Sequence, residues 1–290
     1  MSGLAAESVS VTLPPGRTVE LPGRGTTFVR ELPGPPGAPV VLLLHGWTAT
    51  SDLNWFNVYD PLAEHYRVIA LDHRGHGRGI RTPEPFRLDD CADDAAAVCE
   101  ALGVTQVIPI GYSMGGPVGQ LMWRRHPELI TGLVLCATSA TFNTTTRERA
   151  MFSAVRGVAT LSRLAPPPLR AMTALRIITG RGDRDLRQWA YGEVARHDWL
   201  RIVQAGREIG RFDARRWIRN LDVPCAIVIT LDDEIVPTPR QLALAGTIPT
   251  ATLHEVPGGH TSCINHPQLF VPALLAACDS VVARQPLSRR

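Results

Sequence analysis

Short apolar runs alternate along the chain with stretches of helical periodicity. Several of these runs are apolar at successive positions, which is typical of strands buried on both faces of a parallel sheet. The predicted strands lie at residues 40–44, 68–71, 107–110, 133–136, 226–229 and 252–256. The predicted helices lie at residues 60–66, 89–102, 118–125 and 267–282. This alternation predicts an α/β fold with helices on both faces of the sheet, and the Gly- and Pro-rich residues 9–39 predict a leading hairpin.

The alternation stops between Cys136 and Ala226, where no strong strand candidate occurs and helical stretches rich in Arg and Ala surround a run of three prolines. We therefore divide the chain into a core, residues 1–139 and 221–290, and a helical insertion, residues 140–220. Apolar side chains of the insertion could roof a pocket or simply pack it onto the core. They are Met151, Phe152, Val155, Leu161, Leu164, Leu169 and Met172.

The motif Gly-Tyr-Ser-Met-Gly-Gly directly follows one predicted strand and precedes a predicted helix. Ser113 is its serine, with Gly111 and Gly115 two positions away on either side. Pro117 suits the first turn of the helix, and Pro127 follows as a stop signal. This context is that of a nucleophile elbow, in which glycines let the strand and the helix approach closely. Ser113 is therefore the candidate nucleophile.

A serine that attacks a carbonyl needs N–H donors for the oxyanion that forms. His45, Gly46 and Trp47 follow the predicted strand at residues 40–44, and in a strand-to-loop position the backbone of Trp47 can supply one donor. The residue after the nucleophile, Met114, can supply the other. His-Gly also fits a simple turn with a structural histidine, and that alternative stays open.

Two more loops, each placed after a predicted strand, carry an acid and a histidine. Asp232 and Asp233 follow the strand at residues 226–229, and His260 stands in Gly-Gly-His after the strand at residues 252–256. A histidine on a loop can act as general base towards a serine hydroxyl, and a buried acid can orient that histidine. The chain order Ser, Asp, His is that of one hydrolase fold and of neither common protease fold.

Taken together, these motifs resemble those of the alpha/beta-hydrolase family over nearly the whole chain. The matching segments are His45-Gly46, Asp72-His73-Arg74-Gly75-His76-Gly77, Gly111-Tyr112-Ser113-Met114-Gly115, Asp233 to Pro237 and Gly259-His260. The resemblance implies an eight-stranded, mostly parallel sheet with a helical cap inserted after the sixth strand. It also implies catalysis by Ser113, His260 and an acid, without a cofactor.

The family's acid motif has a glycine three positions before the aspartate and a proline four positions after it. Pro237 therefore selects Asp233 as the acid, while Thr230 replaces the glycine and leaves Asp232 as a second candidate. In similar proteins the loop that contains His73 and His76 is structural, so we expect no metal site there.

Composition excludes several classes of chemistry. All 30 basic residues are arginine, so there is no lysine for a pyridoxal phosphate Schiff base or a P-loop, and a Gly-x-Gly-x-x-Gly nucleotide turn is also absent. The formal net charge is only +3, but residues 140–220 hold 16 arginines against 7 acids. Solvated helix faces explain this excess, as would an anionic substrate or a lipid surface. No nucleic-acid-binding motif accompanies the charge.

The six cysteines show no Cys-x-x-Cys spacing and mostly lie in apolar stretches, as free thiols in a reducing compartment do. The first residues lack a basic start and an apolar segment, and no window reaches the roughly 18 apolar residues of a membrane span. We therefore expect a cytoplasmic protein without a transmembrane segment. The oligomeric state is not readable from the sequence.

The leading hypothesis is a serine hydrolase of esterase or lipase type that cleaves a small carboxylic ester with an apolar portion through an acyl-enzyme. Hydrolysis of a thioester or a carbon–carbon bond, acyl transfer and perhydrolysis use the same residues and stay open. A small-ligand receptor that no longer turns over its ligand is the alternative from another class.

Overall fold

A computed structural model describes residues 11–142 and 184–285 of the 290-residue chain. Its centre is an eight-stranded sheet with the strand order β1-β2-β4-β3-β5-β6-β7-β8. The hairpin strands β1 and β2 are antiparallel, β2 pairs antiparallel with β4, and all other neighbours are parallel. The strands are β1 Gly16–Leu21, β2 Gly25–Leu32, β3 Val40–Leu44, β4 Arg67–Leu71, β5 Ile108–Tyr112, β6 Leu133–Cys136, β7 Cys225–Thr230 and β8 Ala251–Val256.

The six strands predicted from apolar runs are present, with ends that differ by two residues at most, and the predicted hairpin supplies the other two. The parallel register brings the carboxyl ends of the central strands to one edge of the sheet. Leu44 of β3 lies beside Gly111 of β5, and Tyr112 at the end of β5 lies beside Cys136 at the end of β6. The loops that follow these strands therefore meet at this edge.

Helices cover both faces of the sheet, as predicted. The helices of the described residues are α1 Ser51–Trp55, α2 Tyr59–Ala63, α3 Leu88–Ala101, α4 Gly115–Arg125, α5 Arg184–Ala195, α6 Trp199–Arg211, α7 Thr238–Thr247, α8 Ser262–Asn265 and α9 Pro267–Ala283. Successive residues of β3 pack into two different cores, Leu42 and Leu44 on one side and Val41 and Leu43 on the other. This is why the run at residues 40–44 is apolar throughout.

The sequence did not predict α1 or α7, nor the four-residue α8. The first is a single short turn, capped by the side chain of Thr50, which accepts a hydrogen bond from the Leu53 N–H. The second begins at Thr238 with a proline in its first turn, which is a favourable place for that residue. All three are too weakly amphipathic or too short to stand out as a periodic pattern.

The segment between β6 and β7 contains α5, α6 and a short 3-10 helix, Ile218–Asn220, within its described part. Thr141 and Asp213 form a β-bridge that joins the two ends of the segment. The seven apolar residues from Met151 to Met172, which could roof a pocket or pack the insertion onto the core, lie outside the described residues.

All six cysteines are buried and free of disulfide bonds. In the described parts of the chain, no helix is long and apolar enough to cross a membrane.

Candidate active site

Ser113 lies in the sharp turn between β5 and α4, at the carboxyl edge of the sheet. Its φ of 52° is in the left-handed region that residues with a Cβ seldom occupy. A Cβ at Gly111 would overlap the carbonyl of Gly115, and a Cβ at Gly115 would overlap the carbonyl of Leu44. The two glycines therefore allow strand and helix to close on each other, and the turn presents the Ser113 side chain at the edge.

His260 connects Ser113 with Asp233. Its Nε2 lies 2.9 Å from Oγ of Ser113, and its Nδ1 lies 2.8 Å from Oδ2 of Asp233. An ionised carboxylate only accepts hydrogen bonds, so Nδ1 carries the proton and Nε2 directs its lone pair at the serine hydroxyl. The three side chains predicted from separate loops thus form one continuous hydrogen-bonded chain.

The Asp233 carboxylate accepts five hydrogen bonds, and the side chain is buried. Oδ1 accepts from the N–H groups of Ile235 and Val236, while Oδ2 accepts from His260, from the Thr230 hydroxyl at 2.7 Å and from Nε2 of Gln241 at 3.2 Å. Burial acts to raise the pKa of Asp233, but the hydrogen bond and charge of His260, assisted by Thr230, outweigh it and keep the pKa below its ordinary value.

Asp232, the second candidate acid, is exposed. Its backbone N–H donates to the carbonyl of Gly258, so the residue fastens the acid loop to the histidine loop. The carboxylate that faces His260 is therefore that of Asp233, as the position of Pro237 indicates.

The loop that carries His260 is held by two further hydrogen bonds. The Tyr112 hydroxyl donates to the His260 carbonyl at 2.7 Å, and the Ser262 hydroxyl donates to the Gly259 carbonyl at 2.7 Å. Tyr112 is buried and immediately precedes the candidate nucleophile. Tyr112 thus contacts the backbone of His260, and its neighbour Ser113 contacts the ring of His260.

Residues 46–49 form a turn beside Ser113, directly after His45. A Cβ on Gly46 would lie 3.4 Å from Cβ of Ser113. The Ala49 N–H donates to the Gly46 carbonyl at 3.3 Å, and Thr48, the third residue of this turn, has a φ of 62°. A positive φ at this position is that of a type II turn. We call residues 46–49 the oxyanion turn, after the role that the sequence predicts for Trp47.

Two backbone N–H groups near Ser113 differ from that of Gly46 in having no acceptor within the described residues. The Gly46 N–H is already donated to Oδ1 of Asn54 at 2.9 Å. By contrast, the N–H groups of Trp47 and Met114 donate to no acceptor among residues 11–142 and 184–285. Met114 is also the N-cap of α4, where the partial positive charge of the helix favours an anion. These are the two donors predicted from the sequence.

His45 has the structural environment of a turn histidine. It is fully buried, its Nε2 accepts from the His73 N–H at 2.9 Å, and Nδ1 therefore carries the proton and donates to the Gly46 carbonyl at 2.8 Å. Burial lowers the pKa of His45. The ring joins the oxyanion turn to the loop that contains His73 and His76. Within residues 11–142 and 184–285, no group of three or more His, Cys, Asp or Glu side chains could hold a metal ion.

Three residues that support the site were not singled out from the sequence: Tyr112, Thr230 and Gln241. Thr230 was noted only as a departure from the family's glycine. The signal in the sequence was a side chain that can form hydrogen bonds at the end of a buried strand, next to the candidate acid. The role of Tyr112 depends on a contact with the distant loop of His260. That of Gln241 depends on how α7 folds back onto the end of β7 and the acid loop, for which the sequence carries no local pattern.

The arrangement provides the parts of acyl transfer. A hydroxyl faces an imidazole that can take its proton, and a buried carboxylate can stabilise the resulting imidazolium. The N–H groups of Trp47 and Met114, which have no acceptor within the described part of the chain, are candidate donors to an oxyanion.

Comparison with known proteins agrees with this geometry. Residues 39–176 match the family model described as alpha/beta hydrolase fold. The chain is 29% identical over 244 residues to a pimeloyl-[acyl-carrier protein] methyl ester esterase of Chromobacterium violaceum, an alignment that covers 81% of this chain and 92% of the relative. It is also 44% identical over 96 residues to a bifunctional esterase/perhydrolase of Acinetobacter calcoaceticus, covering 33% of this chain and 34% of that protein.

Among solved structures, an esterase from Rhodococcus sp. ECU1013 superimposes with a TM-score of 0.73 at 27% identity, covering 91% of this chain and 98% of the esterase. The likeness therefore extends over the sheet and its helices as well as the short motifs.

Proposed function

This chain belongs to the alpha/beta-hydrolase family, and from that premise we propose that it is a serine hydrolase that cleaves carboxylic esters through an acyl-enzyme. The observation that carries the proposal is the hydrogen-bonded chain from Ser113 through His260 to Asp233. The proposed catalytic residues are these three. The relatives described above include esterases, which supports an ester as the substrate.

In the first half of the reaction, Oγ of Ser113 attacks the ester carbonyl carbon while Nε2 of His260 takes the hydroxyl proton. The tetrahedral intermediate then breaks its bond to the alcohol oxygen, and His260 returns the proton to that oxygen so that the alcohol leaves. Asp233 holds the imidazole in the required tautomer and stabilises its charged form. The product of this half-reaction is an ester between Ser113 and the acyl group.

In the second half, water attacks the acyl carbon and gives a proton to His260, which passes it to Oγ of Ser113 as the acid leaves. The negative oxygen of both tetrahedral intermediates is stabilised by the N–H groups of Trp47 and Met114. A preorganised donor of this kind contributes about 3 to 4 kcal/mol to transition-state stabilisation. No cofactor takes part in this scheme.

We further propose that residues 140–220 form a helical cap over a core made of residues 1–139 and 221–290. The position of α5 and α6 between β6 and β7 supports this division. The substrate in this proposal is a small ester with an apolar portion. Leu231 and Ile235, which flank Asp233 and are 40% and 50% exposed, support an apolar surface beside the site. We also propose a cytoplasmic location, supported by six buried free thiols.

A fluorophosphonate probe tests the proposed nucleophile, because it labels only a serine that is activated in this way. We expect labelling of the wild type and none of Ser113→Ala, together with a loss of about a million-fold in kcat towards p-nitrophenyl esters. A variant that keeps even about a tenth of the activity would remove the mechanism.

The other reactions open to the same three residues are distinguished by a substrate panel. It comprises p-nitrophenyl esters of increasing acyl length, a thioester, a ring-fission diketone, and an ester assayed with peroxide or with an alcohol acceptor. The assay with peroxide is part of the panel because one of the relatives is a bifunctional esterase/perhydrolase. Binding without turnover of any of these compounds, and without labelling by the probe, would instead identify a ligand receptor.

A further inference from the structure

Three residues in or next to the oxyanion turn are hydrogen-bonded to the segment between β6 and β7. The indole N–H of Trp47 donates to the Ile202 carbonyl at 2.7 Å. Nε2 of His197 lies 3.0 Å from the Thr48 carbonyl, and the Thr50 hydroxyl donates to Oε2 of Glu193 at 2.9 Å. The three partners span the end of α5, the connection to α6 and the first turns of α6.

The tautomer of His197 follows from its two partners. The Gly77 N–H donates to Nδ1 at 2.9 Å, so Nδ1 is the acceptor and Nε2 carries the proton that is donated to the Thr48 carbonyl. The ring is only 7% exposed. The ring therefore bridges the oxyanion turn and the loop after β4. The next residue, Asp198, contacts the same loop, because its N–H donates to the Gly75 carbonyl.

The contact at Thr48 acts on a strained position. Thr48 has a Cβ and yet adopts a φ of 62°, a conformation that persists only where surrounding contacts hold it. The Thr48 carbonyl belongs to the same peptide group as the Ala49 N–H, which donates to the Gly46 carbonyl. The Gly46 carbonyl in turn shares its peptide group with the N–H of Trp47. A hydrogen bond to the Thr48 carbonyl from outside the turn thus restrains the backbone that carries the candidate donor.

The side chain of Trp47 is restrained from the same direction. Its ring packs against α6 at Gly206, where an added Cβ would lie 2.7 Å from the nearest ring atom. The glycine leaves room for the ring, and the Ile202 carbonyl one turn earlier fixes its N–H.

We propose that residues 193–206 position the oxyanion turn, with His197 as the principal positioning residue and Gly206 as the seat of the Trp47 ring. In this proposal the segment contributes to the rate of the catalysed reaction. This inference rests on the proposed function, because it assigns the Trp47 N–H to the oxyanion. His197 does not touch the substrate in this proposal and acts through Thr48.

Substitutions of His197 separate its two hydrogen bonds. In His197→Gln, the amide nitrogen reaches the place of Nε2 and can donate to the Thr48 carbonyl. In His197→Asn, the side-chain oxygen reaches only the place of Nδ1, where it can accept from the Gly77 N–H but cannot replace the donor to Thr48. We expect His197→Ala and His197→Asn to lower kcat at least about tenfold with KM within about twofold, since only transition-state binding is lost. His197→Gln should recover most of the rate.

Gly206→Ala tests the same idea from the other side, with Gly192→Ala as the matched control. Both substitutions replace a helical glycine, but a Cβ at Gly192 meets no atom of the described residues within 4 Å. We expect kcat to fall about tenfold for Gly206→Ala and to stay within about twofold for Gly192→Ala. The rate of fluorophosphonate labelling should fall in parallel, because the oxygen on phosphorus uses the same donors. Thermal unfolding by circular dichroism identifies any variant that has lost its fold.

The outcomes separate this inference from the proposed function. If Ser113→Ala keeps activity, the proposed function fails. If Ser113→Ala is inactive but the folded His197→Ala, His197→Asn and Gly206→Ala variants keep kcat within about twofold, the positioning role alone is wrong. A higher KM at unchanged kcat would assign the segment to substrate binding and would also overturn it.

Discussion

Thr230 donates a hydrogen bond from its hydroxyl to Oδ2 of Asp233 at 2.7 Å, the same oxygen that faces His260. The residue that replaces the family's glycine thus supports the acid of the candidate triad. Thr230 is fully buried, and its own oxygen accepts from Nε2 of Gln241 at 2.9 Å. The departure from the motif is compensated by a local network that this chain builds around its carboxylate.

Removal of the Thr230 hydroxyl should weaken both stability and catalysis. In Thr230→Val the buried carboxylate loses one donor, so the pKa of Asp233 rises, the free energy of unfolding falls by about 2 kcal/mol, and kcat/KM falls several-fold. Urea denaturation and steady-state kinetics measure these changes. Thr230→Ser keeps the hydroxyl and is the control. Equal stability and activity in the two variants would show that the hydrogen bond has no role.

The two neighbouring aspartates should respond very differently to the same substitution. Asp233→Asn removes the acceptor that sets the His260 tautomer, and we expect kcat to fall about ten-thousand-fold. Asp232→Asn removes an equal charge from an exposed side chain and should leave kcat within about twofold. Kinetics on one p-nitrophenyl ester compares them. A similar loss in both variants would contradict the assignment of the acid.

Stability should decrease as the pH falls from about 6.5 towards about 4, because the buried histidines bind protons in the unfolded chain before they bind them in the folded one. Burial, together with the charge of Arg81, lowers the pKa of His197 from 6.5 to about 4, although Thr48 and Asp72 act in the opposite direction. Burial also lowers the pKa values of His45, His73 and His76. A depressed folded-state pKa means that the stability is complete above 6.5 and is lost on acidification.

For His197 alone, the difference between the two pKa values above corresponds to a loss of about 3 kcal/mol. Urea unfolding at several pH values between about 7 and about 4 measures the slope, and His197→Gln should make it shallower. His65→Gln, at an exposed position, is the matched control. An unchanged slope in His197→Gln would contradict the prediction.

Much of the fold follows from the sequence alone. The continuous apolar runs predict the buried parallel strands because each residue of such a strand faces a core, as Val41 and Leu42 do on opposite sides. The predicted strand and helix ends differ from the observed ones by small amounts. Ser113, its two glycines and His260 were identifiable because their motifs are local and directly follow strand patterns.

The details of the acid and the supporting residues were less accessible. The position of Pro237 favoured Asp233 over Asp232, but only the burial and hydrogen bonds of Asp233 show how its carboxylate is held. The hydroxyl of Tyr112 reaches the His260 carbonyl because β5 ends beside the loop after β8, a relation that no spacing along the chain records.

Local chemistry therefore determined the elements of this protein and the types of residue at its candidate site. Three kinds of signal act within a few residues and can therefore be recognised in the sequence. They are the periodicity of burial, glycine at positions where a Cβ would clash, and proline at helix starts. The tertiary structure decided which polar atoms meet. Contacts such as those of His197 with Thr48 and Gly77 join residues far apart in sequence, and they exist only because strand register and the packing of α5 and α6 bring the loops to one edge of the sheet.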